Sequence, residues 1–311
     1  MSNEARVSEL LVQTGAFKDL DVPVILTSGE LGIYYINTEK LCQDGGDFEK
    51  FGDNSEEMIN HAVKMTKEHP TFGEVIDKLA EKVQKLAYEA SIQPKTTEVF
   101  ISGGQRRDWI FSGPVANRLG LQHISIYKDG KIEVINTSGL KEDGCAKASL
   151  IYHNPLAIHI ADLLTEASSC YRLENEIPRG WVPELRGNHV AIRDLVSVVS
   201  RLQGGERNLA HQGVFTDSLV TIGDDFLRGH SADPDRALEY NADPRAWSEG
   251  YLRDNGALTL LPTFDPAGKK LDRAKKFMKR YGDVLEQARK MGELDDACRD
   301  KYGKSAEELV A

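Results

Sequence analysis

Hydrophobic and polar positions follow two patterns along the chain, and together they predict an α/β protein. Three short apolar runs are typical of strands buried in a parallel sheet, namely VFIS (99–102), HISIY (123–127) and AIHIA (157–161). A fourth run, 189–200, precedes a helix-like stretch and a fifth strand-like run, SLVTI (218–222). Because strands that alternate with helices favour βαβ units, we predict an open parallel sheet flanked by helices.

The segments outside this alternation predict additional elements. Residues 4–13 have the pattern of a short amphipathic helix, and PVILTSGELGIYYIN (23–37) that of two strands around a Ser-Gly turn. Apolar positions at helical spacing predict a helix over 55–90. Beyond Gly229 the only strand-like run is LTLLP (258–262), and the charged tail from residue 269 onward is helical in pattern.

We therefore predict two domains. Residues 1–229 form the main domain, with an N-terminal hood-like β element (1–54), covering helices (55–95) and a core (96–229). Residues 230–311 form a helical C-terminal extension. Charge runs along helices are usually solvated faces, so we expect this extension to pack on the core rather than to bind a partner protein.

Composition and charge narrow the classes of function. The net charge is −10 and the isoelectric point is near 5.4. The chain therefore lacks the excess of Lys and Arg that nucleic-acid binding usually needs, and we expect no nucleic-acid partner. The sequence contains no apolar run long enough to span a bilayer, and its N-terminal residues lack the basic segment followed by an apolar block that is typical of a signal peptide. We therefore expect a cytoplasmic protein without a membrane partner. Its cysteines, Cys42, Cys145, Cys170 and Cys298, form neither a CxxC pair nor a zinc pattern, and we interpret them as reduced thiols.

Candidate chemistry lies just after the strands, because open α/β sheets bind ligands at the carboxyl ends of their strands. In ADLLTEASS (161–169), Asp162 ends a strand and is followed by hydroxyl and small residues before a helix-like stretch. Free N–H groups at such a turn suit a phosphate, and Asp162 suits ribose hydroxyls. A plain strand end with a serine helix cap explains the same residues.

Two further strand ends contain adjacent glycines. ISGGQRRDW (101–109) offers backbone amides beside two guanidiniums, which suits a diphosphate, although a tight turn with a solvated basic pair has the same pattern. SRLQGGERNL (200–209) joins a strand to a helix, and here a plain turn is the favoured interpretation.

A long polar stretch over 128–155 separates two of these strand ends. It carries four lysines: Lys128, Lys131, Lys141 and Lys147. A mobile loop that brings lysines over an anionic substrate is one interpretation, and an exposed hairpin is the slightly preferred one.

Taken in order, these segments resemble the orotate phosphoribosyltransferases. TGAFKDLDVPVILTSGELGIYYIN is similar to the family's opening, and ISGGQRRDWIFSGPVANRLGL to its diphosphate loop and helix. AIHIADLLTEASS is similar to the phosphoribosyl-diphosphate loop, and VVSRLQGGERNLAHQGVFTDSLVTI to the closing strand, Gly-Gly turn, helix and last strand. The resemblance covers 14–227 and implies an α/β fold of the type I phosphoribosyltransferase class.

The resemblance also implies an activity and a site. The expected reaction transfers ribose 5-phosphate from phosphoribosyl diphosphate to a pyrimidine base, orotate first, in pyrimidine biosynthesis, with Mg²⁺ and in a homodimer. Asp162 is the implied ribose contact and acts on the metal only through the ligand. The implied catalytic residues are Asp162, Lys128 and Lys131; the donor-binding residues are Thr165, Glu166, Ala167, Ser168, Ser169, Gly103, Gly104, Arg106 and Arg107; and the base-binding residues are Tyr34, Tyr35 and Asn37.

The alternative is a catalytically inactive protein of this fold that binds a ligand or has a regulatory role. Three departures from the family pattern favour it: Ala161 replaces the first of two adjacent acids, Thr27 replaces a lysine, and Glu166 adds negative charge where a 5′-phosphate would bind. The basic pair Arg106 and Arg107 favours the enzyme, because a binding protein needs no leaving-group site.

Overall fold

The computed structural model describes residues 3–42, 47–91, 98–137, 146–148, 155–268 and 270–311. Its strands in chain order are β1 (Phe17–Ile25), β2 (Leu31–Ile36), β3 (Glu98–Gly104), β4 (His123–Ile126), β5 (Ile132–Asn136), β6 (Ala146–Ala148), β7 (Pro155–Leu164), β8 (Arg172–Glu174), β9 (Ile177–Arg179), β10 (Ala191–Ser200) and β11 (Phe215–Thr221). Its α-helices are α1 (Asn3–Gln13), α2 (Ser55–Glu68), α3 (Pro70–Ser91), α4 (Arg107–Leu119), α5 (Trp181–Gly187), α6 (Gly205–Ala210), α7 (Asp224–His230), α8 (Pro234–Ala242), α9 (Pro244–Asn255), α10 (Leu271–Gln287), α11 (Met291–Tyr302) and α12 (Ala306–Val310).

The chain divides into two compact units. The first contains Met1–Ala16 and Asn37–Gly223, and the second contains Phe17–Ile36 and Asp224–Ala311. The N-terminal hairpin, β1 and β2, therefore groups with the C-terminal helices, which are distant in sequence. The domain boundary between 229 and 230 stays a prediction.

A seven-stranded sheet in the order β11-β10-β7-β3-β4-β5-β6 forms the centre of the first unit. The strands from β11 to β4 pair in parallel, whereas β5 and β6 extend the edge in antiparallel pairing. In chain order the parallel strands follow the arrangement 2-1-3-4-5, in which β3 and β7 flank the point where the strand order reverses. The predicted open sheet flanked by helices is confirmed, and it is mostly rather than wholly parallel because β5 and β6 pair in antiparallel.

Apolar burial explains why the strand-like runs of the sequence become central strands. Strand β7 is buried from Pro155 to Ala161, which accounts for its unbroken apolar run. Helices α3 and α4 pack on β3 and β7. Helices α5 and α6 contribute Trp181 and Leu209 to a core that also includes Phe100 of β3. Burying each of these large side chains stabilises the fold by roughly 1.5–3 kcal/mol.

The helical stretch predicted over 55–90 forms two helices rather than one. Asn54 caps α2 by accepting the N–H of Glu57 at 3.2 Å, and the helix ends at Glu68. Helix α3 then begins at Pro70, and His69 between them has extended backbone angles, φ −119° and ψ 97°. Proline disfavours a helical residue before it and has no N–H to donate, which explains the break.

The second unit packs the β1 and β2 hairpin with helices α7 to α12. Leu31, Phe264 and Phe277 are buried in one apolar cluster of this unit. Gly29, at φ +87°, lies so close to α10 that an added Cβ would be 2.6 Å from Lys276 Cβ. The helical tail is confirmed. The run 258–262 is not a strand but part of a 3-10 helix, Leu258–Phe264, since Pro262 cannot donate to a strand ladder.

The described helices lack the combination of length and apolar composition that crossing a bilayer requires. Cys42, Cys170 and Cys298 are free thiols, while Cys145 lies outside the described residues. Burial raises the pKa of Cys42 and of Cys170, so both thiols stay protonated at neutral pH.

Candidate functional site

Two of the predicted ligand-binding segments meet where the strand order of the sheet reverses. Strands β3 and β7 are neighbours, with Ser102 beside His159 in the parallel register. Gly103 and Gly104 end β3, and Asp162 lies near the end of β7. Because doubly wound sheets bind ligands outside the carboxyl ends of the strands at this reversal, the two segments border one candidate site.

The side chain of Asp108, in the first turn of α4, connects these two segments. Its Oδ2 accepts the main-chain N–H of Gly104 at 3.1 Å, and its Oδ1 accepts the main-chain N–H of Asp162 at 2.9 Å. The residue is only 9% exposed. Acids are common in the first turn of a helix, because they interact favourably with the helix dipole. For this reason the sequence alone did not identify Asp108 as a site residue.

The carboxyl group of Asp162 is held close to that of Asp108. Its Oδ2 accepts the hydroxyl of Thr38 at 3.0 Å. Burial and then the negative charge of Asp108 raise the pKa of Asp162 to about 7, while the Arg107 guanidinium and the Thr38 hydroxyl act in the opposite direction. Near neutral pH this carboxyl group therefore exchanges readily between its protonated and charged forms.

Two buried histidines lie next to this carboxylate pair. His159 Nδ1 is 3.1 Å from the Ser102 hydroxyl, and its Nε2 is 3.6 Å from Asp108 Oδ2. His123 Nε2 is 2.8 Å from the hydroxyl of Ser112, which itself donates to the main-chain carbonyl of Asp108 at 2.8 Å. Burial, and then repulsion by His159, lower the pKa of His123 to about 3, so His123 is neutral.

The glycine pair at the end of β3 is required by packing. A Cβ at Gly103 would lie 2.1 Å from Ser112 Oγ, and one at Gly104 would lie 2.2 Å from Trp181 Cε2. The indole N–H of Trp109 donates to the carbonyl of Gly103 at 2.9 Å. The loop is thus held closely from three sides, and its glycines allow neighbouring groups to approach the backbone.

The turn after β7, residues 165–169, presents free backbone donors. Within the part of the chain that the structure describes, the N–H groups of Glu166, Ala167, Ser168 and Ser169 donate to no acceptor. Ala167 has a φ of +58°, in the left-handed region. A run of adjacent, unpaired backbone N–H groups in a turn is a typical anion-binding arrangement. The side chains of Glu166, Ser168 and Ser169 are exposed.

The Gly204-Gly205 segment supports this turn from behind. The N–H of Gly205 donates to the carbonyl of Thr165 at 2.9 Å, and the side-chain amide of Asn208 donates to the carbonyl of Glu166 at 3.0 Å. A Cβ at Gly205 would lie 2.3 Å from the Thr165 oxygen, so glycine is needed for this approach. The segment is more than a plain turn, because it holds the carbonyls of the loop and leaves the N–H groups free.

The predicted cations differ in their partners. Arg107 Nε is 2.7 Å from Glu39 Oε1, and Lys131 Nζ is 2.8 Å from Glu133 Oε1. Among the described residues, the side chains of Arg106 and Lys128 have no hydrogen-bond or ion-pair partner. Cationic side chains without a protein partner favour an anionic ligand.

The described lysines of the polar stretch lie in a hairpin. Lys128 and Lys131 are in the turn between β4 and β5, where the N–H of Tyr127 donates to the carbonyl of Lys131 at 2.8 Å. Lys141 and the side chain of Lys147 lie outside the described residues.

Two adjoining cavities bring several predicted residues together. One, of about 770 Å³, is lined by residues that include Arg106, Lys128 and Lys131. The other, of about 600 Å³, is lined by residues that include Lys128, Ser169 and Trp181. Both volumes are typical of small-molecule sites. Lys128 lines both cavities, so the β4 and β5 turn separates a space beside the diphosphate loop from a space beside the β7 turn.

The residues predicted to bind a base are placed in different surroundings. Tyr34, in the second unit, is fully buried, donates its hydroxyl to Asn241 at 3.2 Å and packs edge-on against Tyr240. Tyr35, also in the second unit, is 37% exposed. Asn37, in the first unit, accepts the N–H of Glu39 on its side-chain oxygen at 3.3 Å. Of the two rings, only that of Tyr35 is accessible to a ligand.

The donor set at the reversal point is compatible with Mg²⁺ carried by a ligand. No group of three or more His, Cys, Asp or Glu side chains suited to a metal ion occurs in the described residues. Mg²⁺ is commonly held by one or two carboxylates together with substrate phosphates and water. Asp162 would reach such an ion only through the bound ligand, because both oxygens of the neighbouring Asp108 already accept main-chain N–H groups.

Comparison with solved structures relates this chain to phosphoribosyltransferases. The orotate phosphoribosyltransferase of Aeropyrum pernix is similar with a TM-score of 0.42 at 16% identity, over 72% of this chain and 98% of that one. The UMP synthase of Leishmania donovani gives 0.46 at 13% identity, over 76% of this chain and 42% of that one. The adenine phosphoribosyltransferase of Thermoanaerobacter pseudethanolicus gives 0.34 at 15% identity, over 50% of this chain and 83% of that one.

The sequence itself has no such counterpart, since no protein-family model and no curated protein matches it. The chain is structurally similar to phosphoribosyltransferases at low sequence identity. Because these TM-scores lie below 0.5, the solved structures give no support for a particular function.

Proposed function

We propose that this chain is a transferase that moves ribose 5-phosphate from phosphoribosyl diphosphate to a nucleobase, with orotate as the first candidate acceptor. The observation that carries the proposal is the run of free N–H groups from Glu166 to Ser169, directly after the strand that bears Asp162. Phosphates bind such turns, and a sugar hydroxyl beside the phosphate suits a carboxylate.

The donor would lie along the carboxyl edge of β7 and β3. Its 5′-phosphate would occupy the turn from Thr165 to Ser169, and its ribose hydroxyls would bind Asp162. Its diphosphate would lie beside the segment that ends at Gly103 and Gly104, where the N–H of Gly104 is already bonded to Asp108. The guanidiniums of Arg106 and Arg107, with Lys128 and Lys131 across the larger cavity, would supply the positive charge for it.

In the reaction, the bond between the anomeric carbon and the diphosphate oxygen breaks, and diphosphate leaves with the bonding electron pair. A base nitrogen forms the new bond to that carbon and loses its proton. Positive charge develops at the carbon and negative charge on diphosphate, so the protein contributes mainly position and charge neutralisation. Bound Mg²⁺ would neutralise further charge on the diphosphate.

The resemblance of the sequence assigns Tyr34, Tyr35 and Asn37 to the acceptor base, and of the two rings that of Tyr35 is exposed whereas that of Tyr34 is enclosed. Orotate is proposed on the resemblance of the sequence, and other bases are tested beside it.

The test is diphosphate release by the purified protein with phosphoribosyl diphosphate and Mg²⁺, in the presence of orotate or other bases. Release that requires one base would establish a transferase and name its acceptor. An absence of release with every base, at a donor concentration that saturates binding, would contradict the proposed turnover.

A second function is favoured by particular residues of the same site. Ala161, which is buried in the core, occupies the position of the first acid in the family pattern. The exposed Glu166 adds negative charge to the phosphate turn. A regulatory protein that binds phosphoribosyl diphosphate without turnover would tolerate both changes. Donor binding without diphosphate release would identify it.

The assembly proposed from the resemblance is a homodimer. Light scattering coupled to size-exclusion chromatography tests it, with a mass of twice 34.6 kDa expected and the monomer mass contradicting it.

A further inference from the structure

One buried carboxylate bonds to two separate segments of the main chain. Asp108 accepts the N–H of Gly104 with one oxygen and that of Asp162 with the other. Gly104 belongs to the segment that ends β3, and Asp162 to the segment that ends β7. No other single side chain among the described residues bonds to the main chain of both segments.

We propose that Asp108 is a positioning residue, which fixes the ends of β3 and β7 relative to each other so that the ligand groups bound by the two segments stay aligned. The proposal rests on the proposed function, in which β3 holds the leaving diphosphate and β7 holds the ribose. The bond that breaks joins these two parts of the donor, so their alignment decides the rate.

The chemistry of the side chain fits this task. A carboxylate has two oxygens that both accept, so it can satisfy two N–H groups that converge from different strands. An asparagine would satisfy one of them and would point its own N–H₂ group at the other. A serine in this place has one oxygen and a shorter reach.

Stability alone does not explain an acid at this position. Asp108 is buried beside the carboxyl group of Asp162, and no Lys or Arg among the described residues forms an ion pair with it. Two buried carboxylates repel each other, and the pKa of Asp162 is raised first by burial and then by the negative charge of Asp108. His159 Nε2, at 3.6 Å, lies beyond hydrogen-bond distance and compensates little. An unfavourable local arrangement of this kind is typical of functional sites.

The experiment compares Asp108→Asn with the wild-type chain. Both loop segments keep their own ligand contacts in the variant, so the dissociation constant of phosphoribosyl diphosphate with Mg²⁺ should change less than about fivefold. The kcat should fall about 100-fold, because a misplacement near 1 Å between reacting groups has an effect of that order. An unchanged kcat, or a loss explained entirely by weaker donor binding, would overturn the proposal.

Glu57→Gln is the matched control, because it removes one negative charge from the first turn of another helix, α2, at an exposed position. Its kcat and donor affinity should equal those of the wild type. If Asp108→Asn does not fold, Asp108→Ser is measured in its place.

A second readout works without any ligand and separates this inference from the proposed function. Hydrogen exchange of the Gly104 and Asp162 amides should speed up together, by tenfold or more, in Asp108→Ser and not in Glu57→Gln. If the wild type binds no donor, the proposed function fails, and this exchange still decides whether Asp108 couples the segments. Unchanged protection of either amide would count against the coupling.

Discussion

The main-chain N–H of Asp162 donates to Oδ1 of Asp108 at 2.9 Å, across a separation of 54 residues in the chain. This bond places two carboxyl groups from different elements side by side at the reversal point of the sheet. Asp162 stands alone as an acid in its strand, and its acidic neighbour comes from helix α4. The site is therefore assembled from segments whose pairing local sequence does not show.

Asp162→Asn should abolish turnover and, at pH 8, stabilise the fold. Because the pKa of Asp162 is raised from 3.8 to about 7, the folded protein holds a proton that the unfolded chain loses. The contribution of Asp162 to the free energy of unfolding of the wild type therefore falls as the pH rises from about 4 through 7. The variant has a neutral amide at this position, so its stability does not fall for this reason.

Urea unfolding at pH 5 and pH 8 measures this effect. The gain of Asp162→Asn over the wild type should be larger at pH 8 by about 2–3 kcal/mol, since pH 5 lies two units below the folded pKa of about 7. An equal difference at both pH values would show that Asp162 has an ordinary pKa.

Arg106→Ala should raise the Michaelis constant for phosphoribosyl diphosphate tenfold or more, about 1.4 kcal/mol, because it removes a cation that has no protein partner among the described residues. Steady-state kinetics with varied donor measure it. Arg118→Ala, at the other end of α4 in a surface pair with Asp77, serves as control and should leave the constant unchanged. An unaltered Michaelis constant in Arg106→Ala would show that Arg106 does not bind the diphosphate of the donor.

Gly205→Ala should weaken donor binding at least fivefold, because the new methyl group would push the Thr165 carbonyl and with it the phosphate turn. Calorimetric titration with phosphoribosyl diphosphate and Mg²⁺ gives the dissociation constant. Gly187→Ala, where an added Cβ meets nothing within 4 Å, is the control. Equal affinities in both variants would show that the turn does not hold the donor.

His123 should make the fold less stable in acid. Its pKa is lowered from 6.5 to about 3, so below pH 6.5 the unfolded chain takes up a proton that the folded protein does not. The free energy of unfolding therefore decreases as the pH falls from 6.5 toward 3. At pH 5, His123 accounts for a decrease of about 2 kcal/mol.

Thermal or urea unfolding of His123→Gln and the wild type between pH 7.5 and 5 tests this. The variant should be less stable at pH 7.5, since Ser112 and Ser125 lose a shared neighbour, but should lose less on acidification. His211→Gln, at an exposed position, should follow the wild type. Parallel curves for His123→Gln and the wild type would contradict a neutral buried histidine.

The sequence predicts the strands of the sheet and the segments that border the site for a common reason. Apolar runs such as 157–161 are buried on both faces, and ligand-binding groups follow strands that end at one edge. The position of Asp162 near the end of a strand, with a turn after it, was therefore predictable. The break at Pro70 also has a local signal, since the residue before proline avoids helix.

Other features depend on contacts between distant segments. The role of Asp108 requires the ends of β3 and β7 to converge, and the burial of Tyr34 requires the helices of the second unit to pack on its hairpin. The run 258–262 has a strand-like composition, but Leu260 is buried in a helical cluster. Tertiary packing overrides local preference in such cases.

In the proposed function, the turn from Glu166 to Ser169 binds the phosphate of a phosphoribosyl donor. The most direct measurement is amide NMR of ¹⁵N-labelled protein during titration with phosphoribosyl diphosphate and Mg²⁺. Saturable shifts that are largest at these four amides are the expected result, because their N–H groups acquire an acceptor on binding. Unchanged chemical shifts of the amides in this turn, at donor concentrations up to millimolar, would show that the turn does not bind the phosphate.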